Sequence, residues 1–295
     1  MKKIFIMANK MNSGGTEVAL INLLNELVKY NDISITLGLL RKEGMYLNEI
    51  PEQVNVIEIL NKKQIKYYES IKKQNASLIE FCKVLIFKLY SKILRKFGKY
   101  EKVLKKIPAQ KDEYDIAIDF HGYGYIGTVY MIEKVKAKKT ITFVHGEIID
   151  WMANVKEYVD KYDKIFCVSE TAKLSVIREY PEYKNKVEVF RNIVDKEKIE
   201  KLAKEKINDM NYSKIKLLTV GRLEREKGYD LLIEIAQKLK NNNIDFKWYI
   251  IGEGKLYNEI KQEIIKQNLE DDIILLGFRE NPYPYLEKCD VYVQP

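Results

Sequence analysis

Several residue types and motifs are scarce in this chain of 295 residues, and each shortage excludes a class of site. The three cysteines are odd in number and far apart, so they exclude a CxxC-type metal site and fit reduced thiols in a cytoplasm. The two histidines, His121 and His145, are too few for a zinc protease or a histidine cluster. No Asp-x-Asp occurs, so a common carboxylate arrangement for holding a metal ion is absent. The sequence therefore offers no candidate metal site.

Long apolar runs are missing as well. No uncharged apolar stretch approaches the roughly 18 residues that a membrane span needs, and residues 4–8 form too short a run for a signal peptide. Hydrophobic residues make up 46% of the chain and charged residues 32%, which is the balance of a soluble globular protein. These features favour a cytoplasmic protein.

The excess positive charge is concentrated in one segment. Residues 61–111 carry a net charge of +12, whereas the rest of the chain sums to −4. Apolar residues recur in this segment at helical spacing, and another face of the predicted helix carries Lys88, Lys92, Arg95 and Lys99. Such a helix is typical either of binding to an anionic membrane surface, where each basic residue contributes about 1 kcal/mol, or of packing on its own domain with solvated charges. Nucleic acid is not expected, because the aromatic residues lie on the apolar face and do not alternate with the basic ones.

Strand-like and helix-like segments alternate along the chain. This order predicts an α/β fold with doubly wound, mostly parallel sheets. A charged stretch and a linker near residue 210 separate two such series, so we expect one domain over residues 1–208 and another over residues 209–295. The second series holds about 85 residues, fewer than a doubly wound domain usually has, and we therefore expect the second domain to be incomplete.

Glycine turns follow several predicted strands. Gly14 and Gly15 precede the first helix, whose N-terminus offers N–H groups to an anion, although a plain tight turn explains them equally well. In the second series the first strand ends at Gly221, and Arg222 and Lys227 follow it. Ligands of open α/β sheets bind beyond the carboxyl ends of the strands, so these cations predict a diphosphate site. Neighbouring glutamates that neutralise both cations are the alternative explanation.

Other strand ends carry polar or aromatic residues. Glu253 and Gly254 follow the next strand of the second series, and Phe278 follows another. Their recurrence at strand ends predicts a ligand crevice. In the first series His145 and His121 each end a predicted strand; we favour His145 as the functional residue and leave the role of His121 open.

One motif favours a different function. Gly122, Gly124 and Gly127 form G-x-G-x-x-G after a predicted strand, and Glu147 follows about 20 residues later, as in dinucleotide-binding folds. An NAD(P)-binding oxidoreductase is therefore the alternative function. The pattern alone is a weak signal, it does not follow the first strand, and bulky neighbours would crowd a pyrophosphate.

Several short motifs occur in an order typical of one enzyme family. They are FCVSE at 166–170, FRNIVD at 190–195, LTVGRL at 218–223 with KG at 227–228, IGEG at 251–254, LGF at 276–278 and CDVYVQP at 289–295. With these motifs the chain resembles the retaining GT-B glycosyltransferases of family 4, the glycosyl transferases group 1, most strongly over residues 164–295. Ile193 stands where the family usually has glycine, and the Gly14-Gly15 turn and His145 match more loosely.

The resemblance implies a GT-B fold, in which two Rossmann-like domains face each other across a cleft. It implies a UDP- or GDP-sugar as donor, with no cofactor and no metal. Arg222 and Lys227 would bind the diphosphate, and His145 would contact the transferred sugar; these three are the implied catalytic residues. The implied donor-binding residues are Gly14, Gly15, Ser169, Asn192, Gly221, Glu253, Gly254 and Phe278.

The resemblance further implies a hexosyltransferase of retaining type that acts on a saccharide or lipid-linked acceptor in bacterial surface polysaccharide synthesis. The basic segment falls where such enzymes receive acceptors, which favours a peripheral position on the inner face of the cell membrane. Family members continue past the position of Pro295 with a donor-gripping E-x7-E element. We therefore expect the present chain to bind donors poorly and the full-length protein to transfer sugar. A non-catalytic, membrane-associated scaffold is the third interpretation.

Overall fold

The computed structural model describes residues 1–12, 14–60, 104, 107–122, 125–211 and 214–294. The predicted membrane or acceptor surface, formed by Lys88, Lys92, Arg95 and Lys99, lies outside the described residues and stays a prediction. Within the described ranges, no helix is both long enough and apolar enough to cross a bilayer. The chain divides into two compact units, Met1–Val194 (unit 1) and Asp195–Pro295 (unit 2). Each has its own parallel sheet, as the alternation of segments predicts.

Unit 1 contains a seven-stranded parallel sheet in the order β3-β2-β1-β4-β5-β6-β7. Its strands are β1 (Lys2–Ala8), β2 (Ile33–Leu39), β3 (Asn55–Glu58), β4 (Glu113–Asp119), β5 (Lys136–Val144), β6 (Lys164–Cys167) and β7 (Val187–Val189). Its helices include α1 (Gly15–Leu27), α2 (Tyr125–Lys134), α3 (Lys156–Val159) and α4 (Glu170–Glu179). The strand order reverses between β1 and β4, and ligands of open α/β sheets bind beyond the carboxyl ends of the strands at such a point.

The apolar runs of the central strands reflect burial on both faces of the sheet. In β1 every residue from Ile4 to Ala8 is buried, as expected of a parallel strand covered by helices on both sides. On one side α1 buries Leu20, Ile21 and Leu24 against this sheet. The sheet therefore has little freedom to shift, and its strand ends are fixed positions for functional side chains.

One helix predicted in unit 1 has a different form. The helix-like segment near residues 150–162 begins as a 3-10 helix, Asp150–Val155, and continues as the short helix α3. Met152, Val155 and Tyr158 are buried. Their spacing of three residues suits the 3-10 period better than the α period.

Unit 2 contains a four-stranded parallel sheet in the order β10-β9-β8-β11. Its strands are β8 (Ile215–Val220), β9 (Phe246–Ile251), β10 (Ile273–Gly277) and β11 (Val291–Tyr292), and its helices are α5 (Lys196–Ala203), α6 (Tyr229–Asn241), α7 (Tyr257–Lys266) and α8 (Tyr283–Lys288). Trp248 is fully buried, and its Nε1 donates a hydrogen bond to Thr219 Oγ1 at 3.0 Å. This bond satisfies the indole N–H inside the core, where an unpaired donor would be costly.

The division between the units falls earlier than the predicted boundary of 208/209. Helix α5 and the residues after it belong to unit 2 because they bond to its last helix and its flanks. The Asn281 side chain donates to the Leu202 carbonyl at 3.0 Å, and Arg279 pairs with Asp209 at 2.8 Å. The sequence shows a charged helix and a linker there, but which side the helix packs against is a tertiary contact.

Candidate functional site

Three strands of unit 1 bring candidate residues to one edge of the sheet. β4 lies between β1 and β5, so the residues that follow these strands are neighbours. His121 follows β4, His145 follows β5, and Gly14 and Gly15 form the N-cap and the first residue of α1, the helix that follows β1. These residues therefore lie at one edge of the unit 1 sheet.

His145 is held by the backbone of the neighbouring strand end. Its Nε2 lies 2.6 Å from the carbonyl oxygen of Phe120, and since a carbonyl can only accept, Nε2 carries the proton. The Phe120 ring also packs against the imidazole, with centroids 4.9 Å apart. Burial lowers the pKa of His145, while the bond to Phe120 opposes this change. The ring is therefore neutral near pH 7, with its lone pair on Nδ1.

His121 is more deeply buried than His145. Its Nδ1 accepts a hydrogen bond from the backbone N–H of Asn9 at 2.8 Å, and its Nε2 lies 3.9 Å from Glu17 Oε1. Burial, with a smaller contribution from nearby His145, lowers its pKa to about 4. His121 is thus a neutral imidazole that joins the end of β4 to the loop after β1, a role that the sequence left open.

The two glycines at the start of α1 differ in their surroundings. Gly14 is the N-cap residue, with an extended backbone that any residue adopts, and a Cβ there would meet the flexible end of Glu17 at 2.5 Å. A Cβ added at Gly15 would meet nothing within 4 Å. Thr16, a residue type that often caps helices, lies in the first turn of this helix and is not its N-cap. Gly15 therefore leaves open space in front of the helix N-terminus.

Gly122, the first glycine of the dinucleotide-like motif, is explained by packing. Its φ is +57°, and a Cβ there would lie 1.9 Å from the carbonyl oxygen of Phe143. Only glycine fits a left-handed turn pressed against β5. Gly124 lies outside the described residues. The fold therefore requires Gly122 whether or not a dinucleotide binds.

Ser169 and Asn192 have different local environments. Ser169 is the N-cap of α4, and its Oγ accepts a hydrogen bond from Ala172 N at 3.1 Å. Asn192 is exposed just before Ile193, whose carbonyl accepts a hydrogen bond from the Asn22 side chain at 2.9 Å. The cap gives Ser169 a structural role, and donor binding by either residue stays a prediction.

In unit 2 the turns after three strands are joined through their backbones. Gly221 N donates to the Ile251 carbonyl at 2.9 Å, Leu223 N donates to the Glu253 carbonyl at 2.9 Å, and Gly252 N donates to the Gly277 carbonyl at 2.9 Å. The structure thus brings together the glycine turns that the sequence placed at successive strand ends.

Two glycines permit this close approach. A Cβ at Gly252, where φ is +147°, would lie 1.9 Å from the Gly221 carbonyl oxygen, and a Cβ at Gly254 would lie 2.3 Å from the Leu223 carbonyl oxygen. Both neighbours are backbone atoms, which cannot move aside as a side chain does. These glycines are therefore needed for the joined turns, in addition to any role in binding.

Charged and aromatic side chains extend from the joined turns. Arg222 and Glu253 are exposed, Lys227 is half-buried, and Phe278 is 44% exposed. The stem of Lys227 lies near Gly221, where an added Cβ would be 3.9 Å from Lys227 Cδ. Glu224, which the sequence offered as a neutralising partner, lies 3.6 Å from Lys255. This edge can accept an anionic ligand.

Unit 1 contains a buried polar cluster around Asp119 that the sequence did not predict. Asp119, the last residue of β4, is only 2% exposed, and it is bonded to Thr128 and Tyr162. Its only signal was an acidic residue directly after the apolar run 116–118, which does not reveal whether the side chain faces water. In the described part of the chain, no three His, Cys, Asp or Glu residues are grouped as metal ligands.

Comparison with known proteins identifies this architecture. Residues 197–295 match the family model for glycosyl transferases group 1. The N-acetylgalactosamine-N,N'-diacetylbacillosaminyl-diphospho-undecaprenol 4-alpha-N-acetylgalactosaminyltransferase of Campylobacter jejuni is 26% identical over 302 residues, covering 99% of this chain and 74% of that protein. The amylovoran biosynthesis glycosyltransferase AmsK of Erwinia amylovora is 28% identical over 202 residues, covering 64% of this chain and 48% of that protein.

Solved structures share the fold. HepE of Anabaena, in complex with UDP and glucose, aligns with a TM-score of 0.60 at 15% identity and covers 99% of this chain and 73% of its own. A variant of TarM from S. aureus, in complex with UDP among other ligands, aligns with a TM-score of 0.61 at 15% identity and covers 99% of this chain and 80% of its own. Residues 197–295 thus carry the match to glycosyl transferases group 1, and the chain shares the GT-B fold of these solved structures.

Proposed function

We propose that this glycosyltransferase moves a hexose-type sugar from a UDP- or GDP-sugar to a saccharide or lipid-linked acceptor, with retention of the anomeric configuration. The observation that carries the proposal is the set of joined turns in unit 2, which presents Arg222 and Lys227 beyond the end of β8. Fixed cations at a sheet edge suit a diphosphate, and they need no metal or cofactor to bind it.

The same two cations would assist bond breaking. When the bond between the sugar and the diphosphate breaks, negative charge grows on the phosphate oxygen that leaves. Arg222 and Lys227 would stabilise that charge more strongly in the transition state than in the bound donor, which is the requirement for faster chemistry. Glu253, Gly254 and Phe278 line the same turns and would contact the rest of the nucleotide sugar.

His145 would act on the transferred sugar as a neutral hydrogen-bonding group. The Phe120 carbonyl fixes the proton on Nε2, so Nδ1 can accept a hydrogen bond from a sugar hydroxyl. The lowered pKa of the ring keeps it neutral, because burial disfavours the charged form. Gly14 and Gly15, together with Ser169 and Asn192, would complete donor binding.

The relatives support the sugar, the stereochemistry and the acceptor class. The name of the Campylobacter jejuni enzyme states an N-acetylgalactosaminyl group, an alpha linkage and a diphospho-undecaprenol acceptor. HepE and the TarM variant are both complexes with UDP. We infer the same classes here: a UDP-sugar before a GDP-sugar, and an acceptor on a lipid diphosphate in surface polysaccharide synthesis.

Ligand-induced shifts in melting temperature test the donor class. We expect UDP or GDP, and at least one of their sugars, to raise the melting temperature, and NAD(P) to have no effect. Arg222→Ala should abolish the shift, whereas Arg225→Ala, which removes a cation three residues along the same loop, should leave it intact. A shift with NAD(P) alone would favour an oxidoreductase, and no shift with any of these ligands would contradict the proposed donor.

Sedimentation with anionic vesicles tests the membrane position. The basic segment predicts that the protein is retained by vesicles rich in phosphatidylglycerol at low salt and released at high salt. The changes Lys88→Glu, Lys92→Glu and Arg95→Glu together should reduce retention. Unaltered retention in this triple variant would exclude the basic helix as the binding element.

A further inference from the structure

Asp119 is a buried carboxylate in the core of unit 1, only 2% exposed. It ends β4, and its neighbours across the sheet are Met7 of β1 and Thr142 of β5. Among the described residues it makes no ion pair, and three hydrogen bonds hold it instead. A buried charge without a partner is unfavourable unless its hydrogen bonds are satisfied. The position of Asp119 is therefore tied to the groups that donate to it.

The three donors come from three different segments. Gly122 N lies 3.3 Å from Oδ1, Thr128 Oγ1 of α2 lies 3.0 Å from Oδ2, and Tyr162 Oη lies 3.2 Å from Oδ2. Tyr162 lies between α3 and β6. Oδ1 thus accepts the hydrogen bond that closes the turn after β4. Oδ2 accepts the bonds from Thr128 and Tyr162, which link that turn to other segments of unit 1.

The turn closed by Asp119 contains the atom that holds His145. The Phe120 carbonyl accepts from His145 Nε2 at 2.6 Å, and Phe120 N donates to the Met7 carbonyl at 3.0 Å. The next residue, His121, accepts from Asn9 N in the loop that leads towards the Gly14-Gly15 turn. Residues 119–122 therefore connect the end of β4 with the ends of β1 and β5.

Gly122 is confined on its other side by β5. It lies so close to the Phe143 carbonyl oxygen that an added Cβ would be 1.9 Å away. This contact and the bond to Oδ1 confine the turn from two sides. Without Oδ1 the N–H of Gly122 loses its acceptor and the turn can relax, and Phe120 would move with it.

We infer that Asp119 is a positioning residue, which fixes the Phe120 carbonyl and through it the tautomer and orientation of His145. The inference rests on the proposed function for the role of His145 in sugar transfer. Asp119 itself does not reach the substrate and acts through the turn. An amide can replace the carboxylate: its oxygen accepts from Gly122 N, and its NH2 donates to the Thr128 and Tyr162 hydroxyl oxygens.

Nuclear magnetic resonance of isotope-labelled histidine tests the positioning directly. The chain has two histidines, so His121→Gln assigns both rings. We expect His145 to show a protonated Nε2 in the wild type and in Asp119→Asn, and a mixture of tautomers in Asp119→Val. Tyr162→Phe is the matched control, because it removes one donor from Oδ2 and leaves the bond from Gly122; it should retain the wild-type signals.

Kinetics separate positioning from a general loss of structure. For a UDP-sugar that the protein hydrolyses or transfers, turnover should fall about tenfold to a hundredfold in Asp119→Val, while affinity for UDP stays within about twofold. Asp119→Asn should restore turnover. If Asp119→Val does not fold, Asp119→Ala takes its place.

The inference is overturned if the Val or Ala variant keeps both the tautomer and the turnover, or if Asp119→Asn behaves like them. Loss of UDP affinity in parallel with turnover would also overturn it. If no variant, including the wild type, binds UDP or GDP, the proposed function fails, yet the histidine spectra still decide whether Asp119 positions His145.

Discussion

The two units hold their candidate residues in opposite ways. In unit 1, His121 and His145 are largely buried and bonded to backbone groups of neighbouring strand ends, so the protein sets their position and protonation. In unit 2, glycine turns fix the backbone, while the side chain of Arg222 is exposed. Changes in unit 1 should therefore disturb stability and geometry, whereas changes of the unit 2 side chains should disturb ligand affinity alone.

The largest expected effect concerns the fixed backbone of unit 2. Gly252→Ala places a Cβ 1.9 Å from the Gly221 carbonyl oxygen at a φ of +147°, so we expect a loss of about 3 kcal/mol or more in the free energy of unfolding. Gly277→Ala is the control: its φ is +72°, but no atom lies within 4 Å, so strain alone should cost about 1–2 kcal/mol. Urea denaturation measures both, and equal losses would show that the contact between the turns is not tight.

The next effect concerns the buried charge of unit 1. Burial raises the pKa of Asp119 from 3.8 to about 6, against the opposing effect of its three hydrogen bonds. Between about pH 4 and pH 6 the folded protein therefore binds a proton that the unfolded chain has released, so this group removes stability as the pH rises through that window. A shift of about two pKa units corresponds to about 3 kcal/mol.

Asp119→Asn carries no such charge and keeps the hydrogen bonds. We expect it to be more stable than the wild type above pH 6, by up to about 3 kcal/mol, and the difference to shrink towards zero near pH 4. Denaturation of both proteins across this range measures the difference. If the difference in unfolding free energy between the two proteins does not vary with pH, burial does not raise the pKa of Asp119. The contrast between a buried charge in unit 1 and exposed cations in unit 2 would then be wrong.

A smaller effect in free energy concerns the cations of unit 2. Arg222→Ala and Lys227→Ala should each weaken UDP binding about 10- to 100-fold, the range for one charge-assisted hydrogen bond. Their melting temperatures without ligand should remain close to the wild type, because Arg222 is exposed and Lys227 contributes mainly its stem. Calorimetric titration with UDP measures the affinity, with Arg225→Ala as the control. Large losses of stability in the ligand-free variants would break the distinction between the units.

The smallest effect is expected at the open glycine of unit 1. Gly15→Ala adds a Cβ that meets nothing within 4 Å and lies at the start of a helix, so the gain in stability should be at most about 0.5–1 kcal/mol. The same methyl group occupies the space before the helix N-terminus, so we expect weaker turnover of a nucleotide sugar. Unchanged turnover would remove Gly15 from the proposed donor-binding residues.

The strand-end turns of unit 2 show what the sequence can predict. Gly221, Gly252 and Gly277 each close an apolar run, and parallel strands end at one edge, so their neighbourhood follows from pattern and topology. The short motifs between residues 218 and 295 lie in the region that matches glycosyl transferases group 1. The boundary between the units is harder to predict from the sequence, because the residue pattern of α5 fits either unit. Its contacts with Asn281 and neighbouring residues place α5 in unit 2.

Sequence alone determined the alternating α/β order, the recurrence of glycine at strand ends and the match of residues 197–295 to glycosyl transferases group 1, because these depend on local spacing and on short contiguous motifs. Tertiary structure alone decided that Gly122 fits against β5, that His121 is a buried neutral link and that Asp119 closes the turn beside His145. The reason is physical: burial and hydrogen-bond partners belong to groups that are distant in the chain, such as Tyr162 beside Asp119, and no local pattern of residues encodes which of them meet.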